Sequence, residues 1–236
     1  MAKAQKVILL IGLFALASCD KDEPVEVDLG YGYFPTAVGT WVEYKVDSLW
    51  RDDPAAVLDS VDYRLKQRIE EIYTDDEGRT CQRIHRYVKD EDDVWVVRDV
   101  WTMTVSPTVA EMTEENQRRL KMAFAVREGT TWDINAFNTV DELLVAYREV
   151  GEAWNAYGLS YDNTVLVKNT VAPNFVEKRN FEERYAHGVG MVSKYWEETN
   201  TQVSYPPPTP ENPNPPPIIE VTGWRLDMVA VAHGRD

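Results

Sequence analysis

The sequence predicts a mainly β protein, a single antiparallel meander that forms a strongly curved sheet or incomplete barrel with at most one or two short helices. Three observations lead there. From Tyr31 onward apolar residues recur with period two, the period of a strand. The intervening positions are polar, as in an antiparallel sheet with one wet face. Short breaks rich in Asp and Gly, residues suited to turns, separate the runs. No fixed-period repeat and no shift in composition divides the chain, so residues 31–236 read as one β domain.

Before that domain comes an address. Lys3 and Lys6 precede an apolar run over residues 7–17, the length of an export-signal core and too short to span a bilayer as a helix. The run ends in Leu16-Ala17-Ser18-Cys19, which resembles the bacterial lipobox. The resemblance implies that residues 1–18 are removed and that Cys19 is the lipid attachment point. One acyl chain binds a membrane with an association constant of only about 10⁴ M⁻¹, whereas two signals anchor stably. Asp20, Lys21, Asp22 and Glu23 then resemble the Lys-acidic-acidic surface-export tag of Bacteroidetes lipoproteins. An Asp directly after the cysteine also resembles an inner-membrane retention signal of proteobacteria. Residues 19–30 read as an acidic tether, and the expected location is the outer membrane, surface-exposed, with a periplasm-facing orientation as the alternative.

The strands follow in order. In residues 41–50, Val42, Tyr44 and Val46 share a face; in residues 63–74, Tyr63, Leu65 and Ile69 do so. Trp95, Val97, Trp101, Met103 and Val105 form a further stripe, interrupted by Asp99. Leu120, Met122, Phe124 and Val126 form another, as do Val165, Val167 and Val171. Trp224, Leu226, Met228, Ala230 and Ala232 form the last. Asp75-Asp76-Glu77-Gly78 and Lys89-Asp90-Glu91-Asp92-Asp93 read as hairpin tips, where charge also discourages edge pairing. Residues 110–117, rich in Glu, Met and Asn, are the one stretch suited to a short helix. Eight of the 13 prolines fall in residues 206–217. Proline donates no amide hydrogen, so this segment is expected as an extended, exposed loop between the last two strands.

Composition narrows the function classes. The formal charge is −15, and becomes −17 once Lys3 and Lys6 are removed, which disfavours nucleic acid and anionic headgroups as partners of the surface. Cys81 and His85 lie about 13 Å apart if in a strand, too far to share a metal. Gly158-Leu159-Ser160-Tyr161-Asp162 lacks the second glycine of a nucleophile elbow. Gly188-Val189-Gly190 lacks the rest of a dinucleotide loop and reads as strand glycines allowing close approach or a bulge. Residues 90–93 lack the spacing of a calcium loop. Acidic pairs such as Glu70/Glu71 and Glu182/Glu183 are so frequent among 40 acids that proximity of two says nothing about glycosidase chemistry. No catalytic residue, metal or cofactor is expected.

Four blocks carry a wider resemblance: Tyr33-Phe34-Pro35 with Gly39-Thr40-Trp41; Glu128-Gly129-Thr130-Thr131-Trp132-Asp133; Tyr185-Ala186-His187-Gly188-Val189-Gly190; and Gly223-Trp224-Arg225-Leu226. In this order they are similar to a group of Bacteroidetes outer-membrane lipoproteins of unknown function. Ile134 departs from that pattern, where glycine is more usual. The resemblance covers nearly the whole exported chain and implies no catalytic residue. The curved sheet also resembles lipoprotein-carrier folds, which cup a lipid chain. The reading is thus a lipid-anchored, non-enzymatic binding or assembly component of the cell envelope, attached to the membrane through its lipid and open to an envelope protein partner. One alternative is a carrier of a lipid or other apolar ligand, with Trp95, Trp101 and Trp224 as the ligand face. Another, resting on acidic and Trp-rich content, is a surface glycan-binding or glycan-active protein.

Overall fold

A computed structural model describes residues 27–172 and 174–236, so Cys19 and the tag Asp20, Lys21, Asp22 and Glu23 lie outside the described residues. After a 3₁₀ turn at Tyr31–Tyr33 come twelve strands: β1 (Thr40–Asp52), β2 (Val57–Thr74), β3 (Thr80–Lys89), β4 (Trp95–Val105), β5 (Val109–Glu114), β6 (Gln117–Ala123), β7 (Thr131–Asp133), β8 (Leu144–Ala156), β9 (Leu159–Asn169), β10 (Glu177–Ala186), β11 (Gly190–Ser204) and β12 (Ile218–Arg235). All pair antiparallel in one sheet of order β6-β5-β4-β3-β2-β1-β12-β11-β10-β9-β8-β7. The chain therefore forms two six-stranded meanders joined where β1 pairs with β12.

The two outer strands meet, which makes the sheet a nearly closed barrel. The Leu120 amide of β6 donates to the Ile134 carbonyl at 2.9 Å. Trp132 Nε1 donates to the Leu120 carbonyl at 3.0 Å, and the Tyr147 hydroxyl both accepts from the Ala123 amide and donates to its carbonyl, each at 2.9 Å. Edge groups that would otherwise template a foreign strand are thereby satisfied within the chain.

Period two explains most of the interior. Val42, Tyr44, Val46 and Leu65 are buried with Val192 and Met228 in one cluster; Ile69, Ile84, Trp101, Met122, Val165, Val167 and Phe181 belong to another. Burying a Val, Leu or Phe side chain fully contributes about 1.5–3 kcal/mol. The acidic tips fall between β2 and β3 and between β3 and β4, and the Pro-rich residues link β11 to β12.

Several expectations need correction. Residues 110–117 are not helical: β5 turns into β6 through Glu115 and Asn116, both with positive φ (47° and 61°), a two-residue hairpin that overrides helix propensity. Gly188 is in the turn between β10 and β11 and Gly190 opens β11, so this block is a hairpin and not one continuous strand. Val171 lies beyond the end of β9 and is exposed. β-Bulges break three of the stripes, that of Leu120 and Met122 at Lys121. Arg86 pairs with Asp99 but Tyr87 with Val97, leaving Arg98 as the extra residue of β4 and putting Trp95 on the face opposite Trp101. In β12 the extra residue is Val231, because Glu43 pairs with Ala232 and Tyr44 with Ala230, so Ala232 leaves the stripe of Met228 and Ala230.

Candidate functional site

Inside the barrel lies a charged cluster that alternation itself builds. Phe181, Glu183 and Tyr185 project from one face of β10, and Glu183 pairs across the sheet with Lys194 of β11, just as Phe181 pairs with Trp196. From the other half of the sheet β5 supplies Glu114. Lys121 arrives by a bulge, since Ala110 pairs with Met122 and Glu111 with Leu120, leaving Lys121 as the extra residue of β6.

The four charges form a square of alternating sign. Lys121 Nζ lies 2.8 Å from Glu114 Oε1 and 2.5 Å from Glu183 Oε1; Lys194 Nζ lies 3.4 Å from Glu114 Oε2 and 3.0 Å from Glu183 Oε1. Arg119 Nε adds a longer contact to Glu114 at 3.7 Å, and the Tyr185 hydroxyl donates to Glu183 Oε2 at 2.6 Å. Lys121 and Glu183 are 2% and 0% exposed. Isolated, each such ion would lose several kcal/mol of hydration on burial; here each carboxylate faces two ammonium groups. Burial alone would raise Glu114 and Glu183, but Lys121 and Lys194 outweigh it and hold both below the ordinary glutamate range. Burial, with Glu183 alongside, pushes the Tyr185 phenol well up, so it stays a donor.

A second cationic group faces the same space. Arg86 of β3 donates through Nη1 to Asp99 Oδ1 at 3.0 Å and to Glu115 at 3.3 Å, with its guanidinium 3.7 Å above the Trp101 ring. Burial, then the charge of Arg98, lowers its pKa against the pull of Asp99 and Glu114.

Between these groups is a cavity of about 310 Å³, lined by residues of both hydrophobic clusters. Its apolar wall includes Phe34, Met103, Met112, Trp196, Trp224 and Met228, with the rings of Trp196 and Trp224 5.3 Å apart. Arg86, Arg98, Arg119, Lys121 and Lys194 supply its polar wall with Glu114 and Glu115. The size is at the lower end of small-molecule sites, which are mostly apolar with a few placed polar groups.

Of the three tryptophans expected on a ligand face, Trp101 and Trp224 line this cavity and Trp95 does not; Lys89 lies over the Trp95 ring instead. Cys81 and His85 are four residues apart on β3, and Cys81 is buried against Thr104 with Sγ to Oγ1 at 3.2 Å. His187 packs on Tyr33 and His233 on Tyr161, apart from both. Gly158 is a turn glycine between β8 and β9, and Ser160 follows in a strand. Among the described residues no three His, Cys, Asp or Glu side chains converge to hold a metal.

Sequence reasoning missed Glu114, Lys121, Glu183 and Lys194. For two of them a signal existed: Glu183 and Lys194 are in phase with the buried Phe181, Tyr185 and Trp196, so a charge stands where alternation demands an apolar residue. Lys121 is out of phase and becomes internal only through its bulge.

No protein-family model matches the chain, and no curated protein matches it in sequence. A solved structure from Bacteroides fragilis, described as an exported protein of YmcC-like fold, is 11% identical and aligns with a TM-score of 0.39 over 86% of this chain and 98% of its own. A likeness at that level carries no argument about function or location.

Proposed function

We propose that this chain is a lipid-anchored, non-enzymatic binding protein of the cell envelope whose barrel cavity takes up an apolar molecule. One observation carries the reading: a cavity of about 310 Å³ in the barrel interior, lined by Trp101, Trp196, Trp224 and four methionines. Methionine and tryptophan make a wall that adapts to varied apolar shapes and gives large contact area. Binding is favoured over catalysis because Glu114 and Glu183, held ionised by Lys121 and Lys194, are poor proton donors at neutral pH. The anchor is supported by the lipobox-like Leu16-Ala17-Ser18-Cys19, and surface exposure by residues 20–23.

The test is native mass spectrometry of the protein extracted from its own membranes, compared with the same sample denatured. The expected result is a non-covalent adduct lost on denaturation. No adduct, together with no binding of added long-chain amphiphiles, would remove the reading.

A further inference from the structure

Among the described residues, the cavity wall holds four buried nitrogen atoms without a hydrogen-bond partner: Gln67 Nε2, Arg86 Nε, Trp101 Nε1 and Arg119 Nε, the last 3.7 Å from Glu114 and beyond hydrogen-bond reach of it. Three of them belong to groups that can only donate. A buried donor left unpaired costs free energy comparable to a lost hydrogen bond, and native interiors rarely retain several in one place. Here they gather by topology. Gln67 and Arg86 are direct cross-strand partners on β2 and β3, and the Arg86 guanidinium stacks on Trp101 of β4. The Arg86 side chain is 6% exposed, so the unused Nε faces the interior and not solvent.

Charge points the same way. The surface is acidic, yet five cations line the cavity: Arg86, Arg98, Arg119, Lys121 and Lys194. Glu114, Glu115, Glu183 and Asp99 pair with them, which leaves one positive charge in excess. Donors without acceptors, an excess cation and apolar lining beside them call for one kind of occupant.

Resting on the reading of this cavity as a binding site, we propose that the ligand is an amphiphile with an anionic oxygen head group. The head, a carboxylate or phosphate, accepts from Arg86 Nε, Trp101 Nε1 and Arg119 Nε. The tail lies along Trp196 and Trp224 of β11 and β12 and Met228 of β12. The guanidinium groups suit a planar or tetrahedral oxyanion, because they present several donors in a fixed fork.

The experiment is calorimetric titration at neutral pH of the full chain carrying Cys19→Ser, which removes the attachment thiol, with four probes below their micelle concentrations. These are laurate, dodecyl phosphate, dodecanol and acetate. At least one of the two long-chain anions is expected to bind at least about tenfold tighter than dodecanol, from hydrogen bonds to charged donors. Whichever anion is tighter assigns the head group, and acetate is expected to be weaker than both. Arg86→Lys keeps the charge that faces Asp99 but removes the Nε donor, and Arg119→Gln removes the other guanidinium. Each is expected to weaken the anion at least several-fold and to weaken dodecanol by a clearly smaller factor. Dodecanol binding as tightly as the anions would overturn the head-group proposal while leaving an apolar cavity. Acetate matching laurate would overturn the amphiphile. Binding of none of the four would remove the cavity reading as well.

Discussion

Replacing Lys121 by Met tests whether the internal charge square is a connected unit. The substitution keeps the stem and deletes the ammonium that touches Glu114 at 2.8 Å and Glu183 at 2.5 Å. Glu183 keeps Lys194 at 3.0 Å and the Tyr185 hydroxyl, while Glu114 keeps Lys194 at 3.4 Å and Arg119 at 3.7 Å. Breaking a buried pair by removing one member costs about 3–5 kcal/mol. For a chain of this length that corresponds to a fall in Tm of about 6–20 °C. The Lys121→Met/Glu183→Met double variant removes the stranded carboxylate too, and is expected to be at least about 2 kcal/mol more stable than the sum of the two single losses, since a buried ion pair exchanged for apolar groups is often close to neutral. Urea unfolding with an unchanged m-value supplies all three numbers. The same cluster sets the acid response. Both glutamates have folded values below their unfolded ones, so their contribution is present above the ordinary carboxylate range and is lost as pH falls through the folded values. The double variant should therefore lose less stability on acidification from about pH 5 than the parent. A single variant within about 0.5 kcal/mol of the parent, or a double variant no better than additive, would refute the connected cluster.

Other outcomes concern separate parts of the chain. Gly223 has φ 135° in the middle of β12, and a Cβ there would lie 2.1 Å from the Glu198 carbonyl oxygen, so Gly223→Ala is expected to lower stability by at least about 1 kcal/mol in the same urea assay. Asp75 accepts from the backbone amides of Arg79 at 2.9 Å and Glu77 at 3.0 Å. The Arg79 amide chiefly, against burial and helped by the Arg79 guanidinium, holds Asp75 at about 2, so its carboxyl resonance should titrate there and not near 3.8, the ordinary aspartate value. The β2–β3 tip loses that support only as pH falls from the unfolded value toward about 2. Cys19→Ser should abolish incorporation of labelled palmitate and release the protein from the membrane fraction; retained label would contradict the anchor.

The sheet is legible in the sequence because its signal is repetitive. Val42, Tyr44, Val46, Leu65, Val165 and Val167 keep the alternation, and acidic tips separate the early strands, so strand character and antiparallel order come from local pattern, whereas the number of strands does not. The hidden part depends on single extra residues. A bulge leaves no mark in a hydrophobic pattern except a phase change, and Arg98, Lys121 and Val231 each shift the phase of their strand from that point. Thus the pattern groups Trp95 with Trp101 although a bulge turns the two apart, and Lys121 passes for a surface lysine. The closure of β6 onto β7 is equally invisible, because it rests on Trp132 and Tyr147 reaching the backbone of Leu120 and Ala123 rather than on a regular strand pair. The cavity itself arises only when Arg119 of β6 and Trp224 of β12, distant in sequence, line the same space.

Contact quenching of tryptophan fluorescence by 12-bromododecanoate tests the cavity most directly, since bromine quenches only an indole it touches. In the parent chain and in Trp95→Phe, saturating ligand is expected to quench a substantial part of the emission; in Trp101→Phe/Trp196→Phe/Trp224→Phe, whose three positions line the cavity, it is expected to quench little. Equal quenching in the triple variant, with its fold intact by circular dichroism, would place the acyl chain elsewhere and contradict the account.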